Sequence, residues 1–204
     1  ILIDFKDHRA ADQPRGMEPA HFRDCIYGDG TTIGRQFEPF ESVSKYYARA
    51  SEGKVKLDGN VLPCFSFPDN RKTYEPVAVN PTGLTEEEIN DQELIANQQA
   101  LFKIMTTALD AANTTDAGHD FSQYDNDNDG DIDCVTVLYA GPAGSWSSFW
   151  WGYRWSFFIP QAVNKKYDGK RLKQFVFQFV SHRDGHDNEF DPTTLIHETG
   201  HAFG

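Results

Sequence analysis

Near the C-terminal end of the sequence, His197, Glu198 and His201 stand in the run His197-Glu198-Thr199-Gly200-His201-Ala202-Phe203-Gly204. Four residues make about one helical turn, so on a helix the two histidines stack on one face and their rings reach one point. Two imidazole nitrogens converging in this way suit a tetrahedral zinc ion. Glu198 lies roughly 100° further round the helix axis, where it borders the metal site without being a ligand. From there it could take a proton from a zinc-activated water and later deliver it to a leaving amine. The chemistry this spacing points to is metal-assisted hydrolysis, with His197 and His201 holding zinc and Glu198 as general base. The five-residue pattern also arises by chance on ordinary surface helices. Here it follows a helix-start signal, with Asp191 as N-cap and Pro192 at the first helical position, and Gly204 offers a stop after it.

A second constellation runs from Asp125 to Asp133 and places five aspartates in nine residues. So many carboxylates repel one another unless a cation sits among them. The spacing matches the first half of an EF-hand loop, with oxygen ligands at positions one, three and five and then a glycine for the sharp turn. Asp125, Asp127 and Asp129 are the candidate calcium ligands, Asp131 would offer its backbone carbonyl, and Asp133 falls at position nine. Position twelve is Thr136 and not glutamate, inside a predicted strand, so the loop is EF-hand-like without a following helix. The plainer reading is a solvated acidic turn. The calcium reading assigns the ion a structural role, pinning the loop that leads into the next strand.

Both constellations need elements to hold them. Ile1 to Phe5 reads as a buried strand and Asp7 to Pro19 as a loop. Pro19 to Tyr27 reads as a short helix, and Ser42 as the N-cap of another carrying Val43, Tyr46, Tyr47 and Ala50. Lys54 to Leu62, with Asp58-Gly59 at its centre, has the local chemistry of a β-hairpin. Thr85 and Glu88 form a capping box that opens the longest helix, to about Ala112. Its apolar stripe (Ile95, Phe102, Met105, Leu109, Ala112) marks it as the helix that backs a sheet. Val135 to Ala140 is a buried strand. Trp146 to Phe158 carries all four tryptophans, Trp146, Trp150, Trp151 and Trp155; packing at a cleft edge is expected of them, with a substrate-binding wall as the alternative. A second Asp-Gly pair, Asp168-Gly169, precedes a strand over Arg171 to Val180.

The composition bounds the function. With 19 basic and 31 acidic residues the chain carries a net charge of −12, which argues against nucleic acid or an anionic membrane as partner. No apolar run is long enough for a membrane span. Three cysteines, Cys25, Cys64 and Cys134, make no disulfide framework; one pair plus a thiol and three buried thiols are equally open.

Taken in order, several stretches resemble the immune inhibitor A family of secreted bacterial metallopeptidases. They are Ile1-Leu2-Ile3-Asp4-Phe5, Ser44-Lys45-Tyr46-Tyr47 with Ser51-Glu52-Gly53-Lys54, the aspartate loop running into Val137-Leu138-Tyr139-Ala140-Gly141, and the histidine helix. The resemblance implies an α+β zincin-like fold, a twisted mixed sheet with a long backing helix and a C-terminal active-site helix. It also implies extracellular endopeptidase activity on protein or peptide substrates, with zinc as catalytic and calcium as structural cofactor. The family's third zinc ligand follows the glycine. Residues 1–204 are therefore expected to be a single catalytic domain, incomplete at its C-terminal end and inactive as an isolated fragment, with a downstream part of its own chain completing the site. His182, His186 and Glu189 are weaker candidates for that ligand. Two other readings stand beside the peptidase: a non-catalytic calcium-dependent binding or adhesion module on the same fold, and a zinc hydrolase of a non-peptide substrate.

Overall fold

The structure, a computed structural model, describes residues 1–29, 41–115, 119–181, 190 and 192–203. In chain order come strand β1 (Leu2–Asp4), helices α1 (Pro19–Tyr27) and α2 (Val43–Ala50), strand β2 (Phe65–Ser66) and helix α3 (Glu86–Thr115). Strands β3 (Asp131–Ile132), β4 (Val135–Pro142) and β5 (Tyr153–Ser156) follow, then helix α4 (Pro160–Asn164). Strands β6 (Lys166–Tyr167), β7 (Lys170–Leu172) and β8 (Gln174–Ser181) lead to helix α5 (Thr193–Gly200).

Five of the described strands form one sheet in the order β2-β1-β4-β8-β5. The first four run parallel, and β5 lies antiparallel on β8 at one edge. A parallel sheet is covered on both faces, so its inner strands are apolar on both sides. Alternate residues of β1, β4 and β8 (Ile3, Val137, Tyr139, Phe175, Phe177) pack against Leu101, Ile104, Met105, Ala108 and Leu109 of α3. The intervening ones (Leu2, Leu138, Ala140, Val176, Val180) lie with Phe22 of α1, Val43 of α2 and Leu195 of α5. The expected mixed sheet, long backing helix and C-terminal helix are all present, and the structure puts the two helices on opposite faces of the sheet.

The capping box opens α3 as read: Thr85 N donates to Glu88 Oε2 at 2.8 Å and Glu88 N to Thr85 Oγ1 at 3.3 Å. The stripe is shifted, however. Met105 and Leu109 are buried, but Ile95 is 43 % exposed, and Gln98, Leu101, Ile104 and Ala108 complete the covered side. A helix of 30 residues is about 45 Å long, longer than the strands it crosses, so its opening turns have no sheet to cover. Gln98 instead reaches the end of the edge strand, donating to Ser156 O and accepting from Phe158 N, both at 3.2 Å.

The two Asp-Gly pairs behave differently. Asp168 (φ 47°) and Gly169 (φ 84°) take the left-handed values of a tight hairpin turn and join β6 to β7 antiparallel. The expected hairpin at Asp58-Gly59 does not form: residues 54–62 contain no strand, and neither Asp58 nor Gly59 has positive φ. That segment is held by other partners, Ser44 Oγ donating to Leu57 O at 2.8 Å and Asn60 Nδ2 to Tyr124 Oη at 2.7 Å. The loop from Asp7 to Pro19 contains two short 3-10 turns, Ala10–Asp12 and Pro14–Met17. The strand expected over Arg171 to Val180 is divided between β7 in a small sheet (β3-β7-β6) and β8 in the main one.

The tryptophans divide as well. Trp150 is buried among Phe5, Tyr139, Phe149 and Phe177, with its indole N–H on Glu75 Oε1 at 2.9 Å. Trp146 and Trp155 are exposed, and Trp146 meets Trp151 edge-on at 5.5 Å. Cys64 and Cys134 are free thiols, and burial pushes both up to about 12.

Candidate metal centre

Helix α5 begins at Thr193, one residue later than the proline signal suggested. Pro192 already has helical backbone angles, and its carbonyl accepts from Ile196 N at 2.7 Å. The proposed cap at Asp191, the stop at Gly204 and the candidates His182, His186 and Glu189 lie outside the described residues. Leu195 is buried toward the sheet, whereas His197 and His201 are exposed. The sequence forces this division, because the apolar positions 195 and 196 and the histidines fall on different sides of a helix of 3.6 residues per turn.

The His197 and His201 rings converge, their centroids 4.9 Å apart and their Nε2 atoms 3.3 Å apart. Two nitrogens bound to one zinc at about 2.0–2.1 Å and at the tetrahedral angle stand about 3.3 Å from each other. The separation of the pair matches that distance. Among the described residues no third histidine, cysteine or carboxylate joins them. Glu198, the intervening residue, is turned toward the sheet edge, where Arg154 N of β5 donates to its Oε2 at 2.8 Å. A strand-edge amide thus holds the carboxylate. Sequence reading could not find Arg154, since the contact uses its backbone and spans 44 positions.

A large hollow lies on the other side of α5. A cavity of about 860 Å³ extends from Leu195, Thr199 and Phe203 across Leu138 to Asp127 and Asp133. Neither histidine lines it.

In the aspartate loop the structure brings Asp125, Asp127 and Asp133 together, with carboxylate oxygens within 4.8 Å of one another. The loop folds onto its own amides: Asp129 N and Gly130 N donate to Asp125 at 3.1 Å each, and Asn126 N to Asp133 at 3.3 Å. Asn128 (φ 62°) and Gly130 (φ 89°) supply the left-handed turns this needs. Asp129 stands apart from the three, accepting from Asp131 N at 2.8 Å. The buried Asp131 carboxylate faces away onto Arg171 and Lys173 of the small-sheet region, leaving only its backbone for the loop. Lys170 binds Asp125, and that bond, with loop amides, holds the Asp125 carboxyl below its ordinary range. Thr136, at the twelfth loop position, lies in β4 as expected.

A search of curated proteins found no match. The family model described as immune inhibitor A peptidase M6, catalytic domain, matches residues 1–202, a span that includes β1, Tyr47, the aspartate loop and α5 through His201. Its match bears out the resemblance seen in the sequence, and the mixed sheet with its backing helix and C-terminal helix is the α+β, zincin-like arrangement that resemblance implied. With that agreement over nearly the whole length, the chain belongs to the immune inhibitor A (M6) peptidase family and is a metallopeptidase.

Proposed function

We propose that this chain carries the catalytic centre of a secreted zinc-dependent endopeptidase, with His197 and His201 as zinc ligands and Glu198 as general base and then general acid. The observation that carries the reading is the 3.3 Å separation of the two Nε2 atoms; Glu198, the residue after His197, accepts a hydrogen bond from Arg154 N. Zinc, when bound, supplies the Lewis acidity that polarises a scissile carbonyl and makes water nucleophilic near neutral pH. The protein's own part is proton transfer. Glu198 accepts a proton from the attacking water, then returns it to the amine nitrogen as the C–N bond breaks. The hydrogen bond from Arg154 N to one oxygen leaves the carboxylate oriented for both steps.

Calcium at the aspartate loop is part of the same proposal, with Asp125, Asp127 and Asp133 as side-chain ligands. Asp129 and the Asp131 carbonyl would complete the loop's set. No helix among the described residues is long and apolar enough to cross a membrane, which accords with an extracellular protein. The test is casein hydrolysis by the full-length protein, before and after chelation and after zinc is restored. Loss on chelation and recovery with zinc support the reading. Activity indifferent to chelation contradicts it, as does zinc binding without hydrolysis of any protein.

A further inference from the structure

Helix α5 is gripped from a second side. Tyr47 of α2 donates its phenolic O–H to the carbonyl oxygen of Ile196, the residue before His197. Its ring also meets Phe203 edge-on, with centroids 5.1 Å apart. The hydroxyl reaches the helix over Gly200, where an added Cβ would lie 3.1 Å from Tyr47 Oη. Helix propensity alone favours alanine at such a position, and Gly200 does not have positive φ. Space for the tyrosine is thus the physical reason for a glycine there. A carbonyl oxygen has two lone pairs, so the hydroxyl joins Ile196 without displacing a helical hydrogen bond.

The contact is well placed to govern the histidines. Ile196 and Gly200 each sit one position before a ring-bearing residue, so the grip spans the turn that carries both. Tyr47 itself is delivered by a fixed element, because Ser42 caps α2 by accepting from Lys45 N at 3.2 Å and anchors it by donating to Gly28 O at 2.5 Å. We propose that Tyr47 is a positioning residue for the metal centre: its hydroxyl, in the space left by Gly200, sets the rotation of α5 at which the His197 and His201 rings converge on one ion. The proposal rests on the zinc reading given above. Tyr47 acts through the helix backbone and is not a ligand.

The test compares zinc affinity in full-length wild type, Tyr47→Phe, Gly200→Ala and the double variant, by competition with a chromogenic chelator. Thermal midpoints are recorded with and without zinc. Tyr47→Phe keeps the ring and its contact with Phe203 and removes only the hydroxyl. It is expected to weaken zinc binding about tenfold or more, the usual effect of losing a group that orients metal ligands. Gly200→Ala, which displaces the hydroxyl, weakens binding as well, and the double variant binds no more weakly than the weaker single one, because both changes act on one contact. Tyr46→Phe, which alters the neighbouring ring, leaves the affinity unchanged. An unaltered zinc Kd in Tyr47→Phe overturns the proposal even if its zinc-free midpoint falls, since that pattern belongs to a purely structural tyrosine. Additive losses in the double variant overturn the shared contact. Failure of wild type to bind zinc overturns the zinc reading itself, and the proposal with it.

Discussion

Arg154 N donates to Glu198 Oε2 at 2.8 Å, tying the edge strand β5 to the helix α5 that carries both histidines. A hydrogen bond to a charged acceptor contributes about 1.5–3 kcal/mol, so this one restricts where the carboxylate points. Arg154→Pro removes the amide hydrogen on a sheet edge, where proline is tolerated, and Arg154→Ala keeps it. The alanine variant is expected to turn over at near the wild-type rate once folded, and the proline variant about tenfold more slowly with unchanged zinc content. Equal turnover in the two would show that the amide does not orient Glu198.

Lys170 occupies Asp125 in the aspartate loop, where a calcium ion would compete with it. Lys170→Met should lower the melting temperature in chelator and tighten calcium binding, both measurable by thermal shift and titration. In wild type, calcium at about a hundred times its dissociation constant should add roughly 2.7 kcal/mol, and Asp127→Ala with Asp133→Ala should abolish that gain. A melting temperature indifferent to calcium and chelator would leave the loop as an acidic turn stapled by Lys170.

Acid should loosen the same region. Burial raises the Asp131 carboxyl, but Lys173 at 2.8 Å and Arg171 outweigh it and hold the group below its ordinary range. The unfolded chain, with an aspartate near about 3.9, takes up this proton first as pH falls. The stabilisation is therefore complete above that value and disappears as pH drops through the lower folded one. In chelator, Lys173→Met should be less stable than wild type at pH 7, with the gap in urea midpoint narrowing toward pH 3. A constant gap would contradict the assignment.

The tryptophans separate packing from recognition. Trp150→Ala removes a buried ring from the cluster of Phe5, Tyr139, Phe149 and Phe177 and should cost about 3–5 kcal/mol of stability. Trp146→Ala, at a side chain 78 % exposed, should change stability by less than about 0.5 kcal/mol. A large fall in kcat/KM for Trp146→Ala at unchanged stability would instead identify it as a substrate contact.

Features with a local cause were legible in the sequence. The Thr85 and Glu88 box, the Ser42 cap and the histidine spacing each depend on residues within one helical turn, and all three have the expected geometry. Features set by distant partners were not. Asp58-Gly59 carries the same turn chemistry as Asp168-Gly169, yet only the second becomes a hairpin, because Ser44 and Tyr124 hold the first segment elsewhere. The side of α3 that faces the sheet depends on how far the strands extend beneath it, which the helix's own periodicity does not contain. Tyr47, read as one apolar position of α2, finds its partner 149 residues away.

Glu198→Gln in the full-length protein is the most direct measurement of the central claim. The amide keeps the shape and the acceptor for Arg154 N but cannot take the proton of water. Zinc content should remain at the wild-type level while peptide hydrolysis falls by about 10² or more, as loss of a general base does. Near-normal hydrolysis by a zinc-loaded Glu198→Gln protein would contradict the account.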